Sequence, residues 1–469
     1  MKKTLLTIFT MLGLTLGILK AQEKAEFKPS GNIWGYTFGD YYYMAHADSL
    51  GRGAGSLQYK PYSTASTLNA SIPTSVTSIT TTSGNTSTTT STLTNTKTNL
   101  LSSGTNNNTN SNAFQIRRFY LGYDYNFAPK FTASAVLAHE QNLDAGGQNT
   151  VYLKTAFVKW AEILPKNLLN IVLGQQPTSS FATAYGTEPL MGYRSVEKTV
   201  MDMHNNDSST DLGIALQGDL WHGNSGDAAK PNLVGYHLQV GNGNGAKPEN
   251  DHYKILRYNF YTALLKQKLT LGIYGDFRTT AIGAINQSAH TFKAYAVYKT
   301  SKFNIGAEAF TQIYVNGAKL STGTYENVNI AGWSVFLSGK ILPKLNYLAR
   351  MDRYNPDTKY NQSNTYSSAP SVIVPQYTPT GSVYALASNK ISQAAVFSTQ
   401  TFYNFGFDYT PVSRFHIMPN IWITKFSSMA SNLPTTATNA RNDYDIVPRI
   451  TFFFIFNGLK KVGNNGMDN

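Results

Sequence analysis

The chain alternates. From Phe119 the stretch "FYLGYDYNF" puts Phe119, Leu121, Tyr123, Tyr125 and Phe127 on one face and Tyr120, Gly122, Asp124 and Asn126 on the other. Successive side chains of an extended strand point to opposite sides, so this period-two pattern reads as a strand with one apolar and one polar face. Ala128-Pro129-Lys130 interrupts it, and Phe131, Ala133, Ala135 and Leu137 then resume the apolar face against Thr132 and Ser134. Two such strands around a three-residue break make a hairpin.

The unit recurs, with short breaks at 164–167, 266–268, 300–302, 342–344 and 410–413. Between these lie long connections at roughly 46–112, 142–150, 175–208, 242–253, 281–290, 315–328, 355–398 and 427–441. Short and long connections alternate. A sandwich in water has no reason to gather its long loops at one end, whereas an outer-membrane barrel has short periplasmic turns and long extracellular loops. The sequence therefore predicts an all-β fold: a transmembrane antiparallel β-barrel of about 16 strands. Strands are expected at 31–45, 114–127, 130–141, 151–163, 168–175, 209–220, 231–241, 254–266, 268–280, 290–300, 302–314, 329–341, 344–354, 399–410, 413–426 and 442–456. In hydrocarbon every backbone N–H and C=O needs an internal partner, and closure into a barrel supplies all of them.

The ends agree with export. Lys2 and Lys3, an apolar run from Leu5 to Leu19 and then Ala21 have the layout of a signal peptide over 1–21. That leaves a barrel over 22–456 and a C-terminal tail over 457–469. No later stretch reaches 18 consecutive apolar residues, and the chain has no Cys, so transmembrane helices and disulfides are both excluded. The formal charge is +13, of which Lys2, Lys3 and Lys20 leave with the signal, so the mature chain carries about +10. Lys and Arg are scattered singly, which argues against nucleic acid as a partner and leaves a basic lumen for anionic solutes.

Two connections stand out. Residues 63–112 are dominated by Ser, Thr and Asn, a composition that cannot form a core and reads as a flexible extracellular loop. Residues 175–208 form the third long loop, and folding one loop inward is the simplest way to narrow a wide barrel. Within it "GYRSVEKTVMD" carries Arg194, Glu197 and Lys198, a set that could build a charged constriction, and Glu197 to Met201 reads as one or two helical turns. Further inward candidates are Arg118, Lys154, Arg278, Lys293 and Arg350, with Arg353 and Arg449 beside them.

The elements "FQIRRFYLGYDYNFAPKFTASA", "LLNIVLGQQPTSSF", "MGYRSVEKTVMD" and "TDLGIALQGDL", in this order, resemble the phosphate-selective (phosphate and polyphosphate) porin family. The points nearest to it are Arg117-Arg118 before an aromatic strand and the turn Gly174-Gln175-Gln176-Pro177. The resemblance implies a sixteen-stranded, trimeric outer-membrane channel whose third loop folds into the lumen. Here the basic candidates are interleaved with Asp124, Glu140, Asp276, Glu308 and Asp352, so any leaning to phosphate is expected to be mild.

Two other classes compete. An outer-membrane enzyme would need a catalytic constellation, yet none of His46, His139, His204, His237, His252 and His416 stands in a metal spacing and no Ser sits in a nucleophile elbow. A structural or adhesive barrel rests on the Ser/Thr/Asn-rich loop. The reading taken forward is a non-enzymatic porin, without cofactor or metal, in the outer membrane of a Gram-negative bacterium. It is a homotrimer in contact with outer-membrane lipid that passes small hydrophilic solutes with a mild leaning to anions.

Overall fold

A computed structural model describes residues 27–48, 76–83, 86–93, 109–140, 149–180, 182–183, 186–187, 198–204, 206–249, 251–281, 286–320, 322–360, 398–428 and 442–457. The signal segment, Arg194, Glu197 and residues 458–469 lie outside them.

At one rim the chain reverses tightly. Lys130 (φ 68°), Lys166 and Asn167 (both φ 58°), and the run Leu265, Lys266 and Gln267 (φ 55°, 60° and 61°) all adopt the left-handed conformation that short reversals require. These turns join β2 (Asn112–Ala128) to β3 (Phe131–His139), β4 (Tyr152–Leu164) to β5 (Leu169–Pro177), and β8 (Ile255–Leu264) to β9 (Leu269–Ala281). The remaining strands are β1 (Ser30–Tyr43), β6 (Thr210–Gly223), β7 (Asn232–Gly241), β10 (Gln287–Lys299), β11 (Phe303–Lys319), β12 (Tyr325–Leu342), β13 (Leu345–Asn355), β14 (Ser398–Val412), β15 (Phe415–Ser428) and β16 (Asn442–Asn457). Each pairs antiparallel with its sequence neighbours, and β1 pairs with both β2 and β16, so the sixteen strands close into one barrel. The closing seam runs from Trp34↔Asn457 to Tyr42↔Arg449. Two small ribbons stand apart from it, Val76–Ser83 with Thr86–Leu93 and Ala182–Thr183 with Gly186–Thr187.

Several connections are shorter than the sequence suggests. The one expected over 315–328 shrinks to 320–324, because the β11–β12 ladder continues past an irregularity between Tyr314 and Ala318. Asn316 sits there at φ 54°, a bulge that absorbs the extra residues and lets pairing resume. The turn Gly174-Gln175-Gln176-Pro177 is in fact the end of β5. Gly174 (φ 122°) lies where an added Cβ would stand 2.4 Å from the Ala156 carbonyl oxygen, so only glycine fits that close approach.

The apolar face points outward. Phe260, Phe277, Phe292, Phe405, Phe407 and Ile450 all lie exposed on the outer wall. The inner wall is not the purely polar surface the alternation suggests. Phe38 and Phe453 stack there at 4.4 Å with Met418 beside them, and Tyr295, Val297 and Phe336 form another buried cluster. Arg353 corrects the inward list: it shares the parity of Ala349 and Met351 and pairs with Trp333 and Thr401, so it stands on the outer wall. Among the described residues no helix is long and apolar enough to cross a membrane, which says nothing of strands.

Candidate functional site

The third long connection leaves β5 at Pro177, returns at Thr210 and enters the barrel. Its base is stitched shut, with the Thr178 amide donating to the Ser209 carbonyl at 3.1 Å and the Thr178 hydroxyl to the Ser208 carbonyl at 2.7 Å. The wall then takes hold of its backbone. Asn259 (β8) donates to the Ser179 carbonyl at 2.7 Å and Lys293 Nζ (β10) to the Ser180 carbonyl at 2.8 Å. On the returning side Asn206 and Gln312 (β11) exchange two hydrogen bonds of 2.9 and 2.8 Å.

Between these anchors lies one helical turn, α1 (Val200–Met203). It begins three residues later than the sequence suggests, because Thr199 acts as its N-cap and accepts from the Asp202 amide at 3.2 Å. A threonine hydroxyl there satisfies an otherwise orphaned donor, so the turn starts at that residue. α1 is a wedge as well as a turn. Val200 and Met201, both 0% exposed, join an apolar cluster with Tyr274, Phe310, Ile330 and Tyr354 on β9 to β13. Met203, at 7%, joins a second cluster with Tyr42, Met44, Phe402, Trp422 and Val447 on β1 and β14 to β16.

Charges complete the attachment. Asp202 lies 3.6 Å from Lys198 and 3.8 Å from Arg118, Arg118 lies 3.6 Å from Glu140, and Glu140 lies 2.8 Å from Lys154. Lys154 Nζ also donates to Ser209 at 3.0 Å. On the returning side of the loop Asp207 pairs with Arg257 at 3.3 Å and accepts from the Tyr274 hydroxyl at 3.1 Å, while Arg257 pairs with Asp211 at 2.6 Å. Arg350 donates to the Lys198 carbonyl at 2.5 Å and pairs with Asp352 at 2.8 Å, and the Val200 amide donates to Glu308 at 3.3 Å.

Of the basic residues expected inside, Arg118, Lys154, Lys198, Lys293 and Arg350 all face the lumen. Each has a carboxylate within 4 Å, that of Lys293 being Glu308 at 3.8 Å. Arg278 is inward and half-buried beside Gly243 of another connection. Arg449 is inward too, paired with Asp40 and lying 4.0 Å over the Trp422 ring. The site thus gathers Arg118, Lys154, Lys198 and Arg350 around α1 and leaves Arg278 apart. Sequence reasoning missed Asp202, Asn206 and Asp207 as anchors and Met201 and Met203 as wedges. Two methionines two residues apart in an otherwise polar loop were the available signal.

His204 stacks on Tyr354 with ring centroids 3.6 Å apart and planes 6° from parallel. Burial, then the Arg350 and Lys198 charges, push its pKa down to about 3, so it is neutral at pH 7. The local sequence groups it with Asp202 and Asp207, but both carboxylates are committed to other cations.

No protein-family model matches the sequence, and no curated protein matches it. Solved structures do. The chain is similar to the outer-membrane channel DcaP of Acinetobacter baumannii, with a TM-score of 0.51 at 10% identity, covering 93% of this chain and 100% of that one. It also aligns with an anion-selective porin from Comamonas acidovorans (TM-score 0.47, 12% identity, 92% and 100% covered). A further alignment is with the outer-membrane protein OmpT of Vibrio cholerae (TM-score 0.46, 9% identity, 94% and 100% covered). The likeness to DcaP is one of fold.

Proposed function

We propose that the protein is a passive porin of a Gram-negative outer membrane, exported through the periplasm and assembled as a homotrimer. It carries small hydrophilic solutes down their gradients with a mild leaning to anions such as phosphate. The observation that carries this reading is a closed barrel with an apolar outer wall, whose charged lumen is narrowed by the inward-folded segment around α1. Such a barrel needs no cofactor and no catalytic group, because water in the lumen and a fixed restriction are enough.

The leaning to anions rests on one local imbalance. Around α1 the cations Arg118, Lys154, Lys198, Lys293 and Arg350 face four carboxylates, Glu140, Asp202, Glu308 and Asp352, an excess of one. On the returning side of the loop Arg257 stands among Asp207, Asp211 and Asp276, an excess of the opposite sign. Two opposed clusters in one lumen give weak selectivity. Arg194 and Glu197 belong to the same proposed restriction.

Planar-bilayer recording in asymmetric KCl tests both levels. Open-channel current with a reversal potential toward the chloride side is expected. A cation-ward potential would keep the porin and remove the leaning. A second reading, a structural or adhesive barrel without an open path, is favoured by the full burial of Val200 and Met201 against the inner wall. A silent bilayer with correctly folded protein would select it.

A further inference from the structure

Cations inside the barrel and on its outer wall are treated differently. Inside, Arg118, Lys154, Lys293 and Arg350 each face a carboxylate. On the outer wall, Arg353 (β13) and Lys425 (β15) have no carboxylate within ion-pair distance among the described residues. Arg353 instead donates to two hydroxyls, Thr401 Oγ1 at 2.5 Å and Thr399 Oγ1 at 2.9 Å. Lys425 Nζ lies 5.9 Å over the Tyr403 ring.

The two cations share one row of the sheet. The register runs Trp333↔Arg353, Arg353↔Thr401, Thr401↔Lys425 and Lys425↔Tyr444, straight across β12 to β16. All of these positions point outward, since they keep the parity of Met351, Phe405 and Ile421. Two inter-strand spacings separate Arg353 from Lys425, about 10 Å. The guanidinium leans across β14 to Thr401 and so closes part of that gap.

The row also marks a boundary. Toward the short turns the same face carries Met351, Tyr403 and Ile423, then Ala349, Phe405 and Ile421. Toward the long loops it turns to Thr399, Ser427 and Asn442. Apolar wall below and hydroxyls and amides above place Arg353 and Lys425 at the level of membrane headgroups, with Trp333, Tyr403 and Tyr444 as interfacial aromatics. Uncompensated positive charge at that level calls for an anion that itself stands on acyl chains.

We propose that Arg353, Thr401 and Lys425 form a binding site for the phosphate of a membrane amphiphile seated against the outer wall of β12 to β16. The phosphate lies over Thr401 and takes charge-assisted hydrogen bonds from the guanidinium and the ammonium, while its acyl chains cover Phe405 and Ile421. This rests on the placement of the barrel in an outer membrane, but not on an open lumen.

Full-length protein in a neutral detergent, incubated with diphosphorylated lipid A and examined by native mass spectrometry, tests it. Retention of the lipid is expected, with R353Q and K425Q each weakening it about fivefold and the pair about 25-fold. Arg353→Lys, which keeps the charge, should recover most of the binding. Equal retention of dephosphorylated lipid A, or an unchanged double variant, would overturn the proposal. So would inorganic phosphate binding as tightly as the lipid, since that describes a site for free anions. Both side chains lie outside the lumen, so single-channel conductance should be the same in R353Q and K425Q as in the wild type, and a change would put them in the solute path. A silent channel that still retains the lipid would remove the porin reading and leave this site intact.

Discussion

Met203→Ala should loosen the restriction without touching the barrel. The side chain is 7% exposed and sits among Tyr42, Met44, Phe402, Trp422 and Val447, a cluster on β1 and the segment just after it and on β14 to β16. Replacing a buried Met by Ala costs about 2–5 kcal/mol, part transfer and part cavity. Here the loss falls on docking of the loop, because no ladder hydrogen bond of the barrel involves residue 203. Even the lower figure shifts the docked-to-undocked ratio about 30-fold. Arg350 Nη2 also loses its 3.6 Å contact with the Met203 sulfur, in the same direction. Single-channel recordings should therefore show larger mean conductance and more open-channel noise than the wild type. Circular dichroism and heat-modifiable gel mobility should report an intact barrel. Unchanged conductance and noise in a correctly folded variant would refute the view that α1 narrows the path. A smaller conductance would mean that Met203 holds it open.

Three further outcomes follow from the same geometry. Because the docked His204 has its pKa lowered to about 3, it binds fewer protons than the free loop between that value and 6.5. Docking therefore weakens as pH falls through this window, by at most about 2 kcal/mol at pH 5. His204→Phe keeps the stack and should flatten the extra noise between pH 7 and 5, and identical pH profiles would contradict this. Asp202→Asn should cost about 1–3 kcal/mol of docking, between the limits for exposed and buried pairs. A double-mutant cycle with Lys198→Met read by conductance noise should give non-additive effects, and strict additivity would show that the 3.6 Å pair is idle. Gly174→Ala, at φ 122° and 2.4 Å from a carbonyl oxygen, should destabilise β5 by about 1–3 kcal/mol in urea unfolding from micelles, and a neutral result would show that the backbone relaxes.

Much of the barrel is legible in one dimension. Alternation along Phe119–Phe127 and the resumption at Phe131 depend only on which way successive side chains point, and hydrophobic burial acts on each strand separately. The even count follows from the rhythm of short and long connections. Bulges are not legible in this way: the continuation of β11 past Tyr314 is settled by hydrogen bonds to Val328 and Glu326 on the next strand, not by its own composition. Arg353 is a different case: it shares the parity of Ala349 and Met351 in a regular strand, so the alternation itself contradicts the inward assignment.

The sequence by itself determined that this chain needs closure, since alternating strands of this composition can satisfy their backbone only around a ring. It also determined that the third connection is polar, charged and interrupted by Met201 and Met203. Only the tertiary structure decided where that connection goes. Asp202, Asn206 and Asp207 meet Arg118, Gln312 and Arg257 across separations of 50 to 106 residues. Such pairs carry no local pattern, because their energy exists only once the barrel has brought distant strands to face one lumen.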